Sequence, residues 1–260
     1  MNLRLDGKTA LVCGASQGIG RACAQTLAEH GARLILLSRT KDKLEAVRAQ
    51  LPSSTHHSIL AVDVHNLSML EQVVTTTLQE LGPISILICN SGGPASRPLL
   101  EADAGSFLKA FTEHVLANQR LVQLLTPGMR ELKFGRIINI ISTSVKTPLP
   151  NLGVSNTIRG AVANWAKTLS LELAAWGITV NNVLPGYTQT PRLQTLMELA
   201  AQRTKSAFSD IKKDWETKIP VGRFAEPEEI SAAVAFLASP AASYINGINL
   251  PVDGGRTPSL

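Results

Sequence analysis

Six short apolar runs, each the length of a buried strand, alternate with stretches long enough for helices. This alternation limits the chain to very few architectures. Thr9–Cys13, Arg33–Ser38, Ser58–Val62, Ser85–Cys89, Arg136–Ile141 and Thr179–Leu184 are leucine-rich or β-branched with no polar alternation. Such runs belong to strands covered on both faces. Between them, Ile19–His30, Lys41–Gln50, Asn66–Leu81, Asp103–Leu132 and Gly160–Trp176 are of helical length. Strands alternating with helices predict an α/β fold, a doubly wound parallel sheet flanked by helices. A short last strand is expected near Asn249–Val252. No repeat, low-complexity tract or linker interrupts the pattern, so residues 1–260 are expected to form a single domain.

The first strand runs into Cys13-Gly14-Ala15-Ser16-Gln17-Gly18-Ile19-Gly20 and then a helix. Glycines at a strand-to-helix turn let the backbone pass close to a pyrophosphate. The helix N-terminus behind them offers free N–H groups and the positive end of a dipole. A tight βα turn without ligand is the plainer reading of a glycine triplet, but the flanking strand and helix are the context that the phosphate-binding turn requires. The fold is therefore expected to be of Rossmann type. Ser38 and Arg39 end the second strand with no acid at either position. An acid there would accept from a ribose 2′-OH and repel a 2′-phosphate, whereas a guanidinium beside a hydroxyl does the reverse. NADP(H) is accordingly expected over NAD(H).

The spacing Gly14-x-x-x-Gly18-x-Gly20 resembles that of the short-chain dehydrogenase/reductase family, with Cys13 where Thr usually stands. The resemblance covers nearly the whole chain and includes reductases of the 3-oxoacyl-[acyl-carrier-protein] type. Asp63-Val64 resembles the family's adenine contact, and Asn90-Ser91-Gly92-Gly93 its Asn-Asn-Ala-Gly motif, with Cys89 for the first Asn and Ser91 for the Ala. Pro185-Gly186-Tyr187-Thr188-Gln189-Thr190 resembles its nicotinamide-side segment; Tyr244-Ile245-Asn246-Gly247 and Val252-Asp253-Gly254-Gly255 resemble its C-terminal signature. The resemblance implies a dinucleotide held by Gly14, Ser16, Gly18, Ile19, Gly20, Ser38, Arg39, Asp63, Val64, Asn90, Gly92, Arg159, Pro185, Gly186, Thr188 and Thr190. It also implies hydride exchange with a small carbonyl or alcohol substrate and assembly as a homotetramer or homodimer.

The family's catalytic tetrad is Asn, Ser, Tyr and Lys. Aligned through Gly135-Arg136-Ile137-Ile138 and Leu171-Glu172, the Ser falls on Ser142, the Asn on His114, the Tyr on Ser155 and the Lys on Arg159. No tyrosine lies between Phe107 and Trp176, so a small shift of register does not restore the pair. A phenol of pKa near 10 can be brought towards neutrality by a neighbouring cation; an aliphatic hydroxyl is far less acidic. Arginine stays protonated and relays no proton. The altered set can polarise a carbonyl or bind an anion. Three replacements for the lost acid stand side by side. His114 has a suitable intrinsic pKa but reads also as a helix histidine bonded to backbone. Tyr187 follows the Pro-Gly turn but reads also as a lid aromatic. A bound water leaves no trace in sequence. Two functions follow: an NADP(H)-dependent oxidoreductase with an altered site, or a dinucleotide-binding sensor or assembly protein without turnover.

The segment 187–220 is longer than in compact family members and is expected to be a substrate lid, with Leu193, Leu196, Met197, Leu199 and Ala200 as an apolar helical stripe. The stretch Gly160–Trp176 has few polar positions on any face, which suggests a helix covered on both sides, by the sheet and by a second subunit.

Composition closes other routes. The net charge of +5 and pI near 9.3 raise nucleic acid as a partner. The basic residues are scattered, however, and Asp210, Asp214 and Glu216 interrupt the densest stretch, Lys205 to Lys218. Nucleic-acid sites usually show a basic stripe with aromatic support. No apolar run approaches the ~18 residues of a membrane helix, and Met1-Asn2-Leu3-Arg4-Leu5-Asp6-Gly7 lacks a signal-type stretch. A cytoplasmic location is expected. Cys13, Cys23 and Cys89 read as small reduced core residues.

Overall fold

The computed structural model of the chain describes residues 1–259. Its seven strands are β1 (Thr9–Cys13), β2 (Arg33–Ser38), β3 (Ser58–Ala61), β4 (Ile86–Cys89), β5 (Gly135–Ile140), β6 (Ile178–Pro185) and β7 (Asn249–Val252). All pair in parallel, in the order β3-β2-β1-β4-β5-β6-β7. The fold is thus a single Rossmann-type α/β domain. The apolar runs predict every strand to within two residues at either end.

The continuous apolar runs are explained by helices on both faces. Alternate residues such as Val12, Leu34, Leu36 and Ile88 meet one layer, containing α1 (Gly18–Glu29), α2 (Lys41–Gln50) and α9 (Pro227–Ala238). Their neighbours Leu11, Ile35, Leu37 and Leu87 meet the other, containing α3 (Leu67–Leu81), α5 (Ala117–Glu131) and α6 (Gly153–Leu173). Cys13, Cys23 and Cys89 are buried and free; burial pushes the Cys13 and Cys23 thiols up to about 12. Among the described residues no helix is long and apolar enough to cross a membrane.

Two helices depart from the sequence reading. The stretch Asp103–Leu132 is not one helix. α4 (Ala104–Phe111) and α5 are separated by a π-helical turn over Thr112–Leu116, which carries His114. The wider turn shifts the helical phase and rotates His114 inward. α6 begins at Gly153, seven residues before the expected Gly160. Ser155-Asn156-Thr157 is a poor helix sequence, but Val154 and Ile158 are buried in an apolar cluster with Ala110, Ile141 and Leu184. Packing outweighs propensity here. One side of α6 packs on the sheet; the other, with Asn164, Lys167, Thr168, Leu171 and Glu172, is exposed in the single chain.

The segment after β6 folds into α7 (Pro191–Thr204) and α8 (Phe208–Thr217) around a small core of Leu193, Met197, Ala200, Ile211, Ile219 and Phe224. The stripe read from the sequence splits. Leu193, Met197 and Ala200 are buried, Leu196 faces the cleft described below, and Leu199 is exposed.

Candidate active site

From β1 the chain winds outward to β2 and β3, then crosses back to β4 on the other side of β1. Crossovers diverging from neighbouring strands leave a crevice at the strands' carboxyl ends, where this fold class binds its ligands. A cleft of about 880 Å³ opens there.

The glycine turn closes the deep wall of the cleft by contacts that exclude side chains. Gly14 has φ +63°, and a Cβ on it would lie 2.5 Å from the Asn90 carbonyl oxygen; a Cβ on Gly20 would overlap the Gly14 carbonyl. The turn therefore wedges between β1 and β4, with Asn90 Nδ2 donating to the Cys13 carbonyl at 3.4 Å. Gln17, at the N-cap of α1, makes no side-chain cap, and the first turn carries no acid. The N–H groups of that turn are left for an anion.

Every dinucleotide-site residue expected from the sequence lines the cleft except Gly20, which sits behind Gly14 as its packing partner. Ser38 and Arg39 lie at one end, with Asp63 and Val64. Lys43 joins them there, a cation not singled out in the sequence reading. Its position four residues beyond Arg39, in the first turn of α2, was the available signal.

At the other end lie Ser142, Ser155 and Arg159. Ser142 follows β5, and its hydroxyl accepts from the Ser144 N–H at 3.0 Å. Ser155 and Arg159 are four residues apart on one face of α6. Arg159 is 7% exposed and donates from Nη1 to the Ile140 carbonyl at 2.9 Å. Burial, and then the charge of Arg192, push its pKa down to about 10, so it remains a cation at neutral pH.

His114 does not line the cleft. It is 3% exposed, and its Nε2–H donates to the Gly92 carbonyl at 2.9 Å. Burial, and then the Arg159 charge, hold its pKa well below the usual histidine value. It is a neutral imidazole that ties the π turn to the loop after β4, and as such it makes a poor acid. Tyr187 lines the cleft but is engaged elsewhere. Its ring stacks on Trp215 at 4.7 Å, meets Phe224 edge-on and lies under the Arg256 guanidinium at 4.3 Å. Its hydroxyl accepts from Arg256 Nη2 at 3.2 Å.

Arg192 was also absent from the sequence reading. It enters the cleft from the first turn of α7, where Thr190 caps the helix by accepting from the Leu193 N–H at 3.2 Å. Its Nη2 donates to the Pro94 carbonyl at 2.6 Å. Among the described residues no group of three or more His, Cys, Asp and Glu side chains could hold a metal.

A family model described as "Enoyl-(Acyl carrier protein) reductase" matches residues 14–257. The chain is 34% identical over 255 residues to the 3-oxoacyl-[acyl-carrier-protein] reductase FabG of Vibrio cholerae, covering 97% of this chain and 98% of that protein. It is 30% identical over 259 residues to the NADPH-dependent reductase BacG of Bacillus subtilis, covering 98% and 100%. The L-sorbose reductase of Gluconobacter frateurii, solved with NADPH and L-sorbose, superposes with a TM-score of 0.92 at 30% identity over 100% of both chains. The names of these relatives span acyl and sugar substrates, so kinship leaves the substrate open. A family model matched from the glycine turn almost to the C-terminus, and relatives of this identity over their full length, make the chain a member of the short-chain dehydrogenase/reductase family.

Proposed function

We propose that this protein is an NADP(H)-dependent oxidoreductase that exchanges hydride between the nicotinamide and a small carbonyl or alcohol substrate through an altered Ser142, Ser155 and Arg159 site. The observation that carries it is the cleft itself. A glycine-rich turn, an uncapped helix N-terminus and a cationic pair, Arg39 and Lys43, line one continuous cavity with two serines and a buried arginine. Relatives named as NADPH-dependent support the cofactor. The residues present fit it. The first turn of α1 would receive the diphosphate, Arg39 and Lys43 a 2′-phosphate, Asp63 and Val64 the adenine, and Asn90, Gly92, Pro185, Gly186, Thr188 and Thr190 the nicotinamide half.

When bound, NADPH supplies a hydride to the carbonyl carbon. Negative charge then develops on the carbonyl oxygen, and the chain's part is to stabilise it. Ser142 and Ser155 donate hydrogen bonds, and Arg159 places a fixed, desolvated cation behind them. Neither serine is acidic enough to give up its proton readily, and Arg159 keeps its own. Water entering the open cleft protonates the oxygen. His114 holds the loop after β4 in place, and Tyr187 braces α8 and Arg256. Residues 187–220 act as the lid that sets specificity.

Purified protein should bind NADPH and consume it, slowly, with some members of a panel of ketones, aldehydes and acyl thioesters. Binding without turnover on any of them would favour the sensor reading; no binding would overturn both. A homodimer or homotetramer is also proposed. Leu108, Phe111 and Leu116 are exposed on α4 and the π turn, Leu100 in the turn before α4, and Leu171 and Trp176 at and just beyond the end of α6, more apolar side chain than a monomer need leave in water. Light scattering should therefore return a multiple of 27.8 kDa; a monomer mass at micromolar concentration refutes assembly.

A further inference from the structure

Two guanidiniums at the substrate end of the cleft, those of Arg159 and Arg192, have no acidic partner among the described residues. Arg159 rises from α6 and Arg192 descends from α7, and both line the same cavity. Arg192 is half-buried and lies flat on Gly93, where a Cβ would meet its Nη2, Nε and Cζ at 3.1, 3.2 and 3.3 Å. Each guanidinium carries five N–H donors. One from each is spent on a backbone carbonyl, Ile140 for Arg159 and Pro94 for Arg192. Two carboxylates line the cleft, Asp63 and Glu113. Among the described residues neither they nor any other acid pairs with Arg159 or Arg192.

Like charges withdrawn from water raise the free energy of the empty site unless an anion joins them. The electrostatics agree with the geometry: the Arg192 charge lowers the pKa of Arg159, and burial lowers that of Arg192. The start of α7 adds the positive end of its dipole on the same side.

Building on the function proposed above, we propose that the substrate carries a carboxylate, seated on Arg192 between the first turn of α7 and the Gly93–Pro94 loop, with Arg159 facing the reacting oxygen. The substrate class is then a short oxo acid in one direction and the hydroxy acid in the other. A planar guanidinium matches a carboxylate through two parallel hydrogen bonds, an arrangement that lysine does not reproduce.

The test uses the full-length protein saturated with NADP⁺, so that no turnover occurs. Calorimetry compares phenylpyruvate and 2-oxoglutarate with their methyl esters, and phenyl phosphate serves as a different oxyanion. NADPH affinity is measured first. The acids should bind about tenfold or more tighter than the esters, and more tightly than phenyl phosphate. Arg192→Gln should abolish the difference while leaving NADPH affinity within about twofold, and Arg192→Lys should keep only part of it. If unmodified protein binds NADPH but does not discriminate acid from ester, this inference fails and the cofactor reading stands. It also fails if discrimination survives in Arg192→Gln, or if phenyl phosphate binds as well as the acids. A fall in NADPH affinity in Arg192→Gln would give Arg192 to the cofactor's diphosphate and overturn the inference. No NADPH binding by the unmodified protein overturns both readings together.

Discussion

Arg39 and Lys43 lie four residues apart beyond the end of β2, and both face the cleft; Asp42, between them on α2, does not. Both cations are exposed, so their pull on a 2′-phosphate acts through water rather than protein. A pair of unit charges ~4 Å apart in water interacts by about 1 kcal/mol. A phosphate monoester carries about −1.5 to −2 charges at neutral pH. Two cations at that distance would therefore favour NADPH over NADH by about 3–4 kcal/mol before screening. Physiological salt, with its Debye length of ~8 Å, and side-chain mobility reduce this to about 1–2 kcal/mol, a preference of about tenfold. Arg39→Asp exchanges one positive charge for a negative one but leaves Lys43. The two then nearly cancel, and the affinities for NADPH and NADH should become similar. Arg39→Asp with Lys43→Ser leaves only an acid, which accepts from a ribose 2′-OH and repels a phosphate. That variant should prefer NADH by about tenfold. Calorimetry with both cofactors at low and high salt gives one ratio for each protein at each salt. In the unmodified protein the preference should shrink as salt rises. A ratio that ignores salt, or that stays in favour of NADPH in the double variant, refutes the assignment.

The double change Ser155→Tyr with Arg159→Lys restores a phenol beside an amine on one face of α6. It should raise kcat/KM for simple ketones, by up to the ~10²–10⁴-fold that general acid catalysis typically contributes. Either single change should do less, and rates in the double variant no higher than in the unmodified protein would show that proton supply is not the deficit. His114 contributes a pH dependence of defined sign. Its pKa is held below the unfolded value, so its contribution to stability is full above about pH 6.5 and is lost as pH falls towards the folded value. The unfolding free energy from urea titrations should drop between pH 7 and 5, by at most about 1.4 kcal/mol per pH unit from this group. His114→Gln should flatten that slope in part. His57, whose pKa is also lowered by burial while its Nδ1 accepts from the Leu34 N–H, keeps the remainder. An unchanged slope in His114→Gln contradicts the buried neutral imidazole.

The fold and the glycine-turn wall of the cleft could be read from the sequence because both depend on local pattern. A parallel strand buried on both faces is a continuous apolar run wherever it occurs, and β1 and β2 carry the expected bounds. The glycine turn was legible for a related reason. Its residues are consecutive, and the strand before it and helix after it place Gly14, Ser16 and Gly18 on one wall without reference to the rest of the chain. Where local propensity and packing disagree, the sequence misleads. Ser155-Asn156-Thr157 is weak helix, yet it is helical because Val154 and Ile158 gain a buried contact with residues more than ten positions away. The π turn that buries His114 leaves the periodicity on either side intact, so Asp103–Leu132 reads as one helix.

The opposite end of the cleft depended on distance in sequence. Arg192 and Arg159 are separated by β6 and the turn after it, and only the fold of α7 over the cleft brings them into one cavity. Tyr187, an open candidate by sequence, is taken up by Trp215, Phe224 and Arg256, and His114 by the Gly92 carbonyl. The sequence by itself thus determined a doubly wound sheet and the turn that can hold a dinucleotide, since both follow from residue order and periodicity. Tertiary structure alone decided which polar side chains face the cleft and which charges have no acidic partner among the described residues. Burial and pairing are set by whichever remote segment comes to lie beside each group.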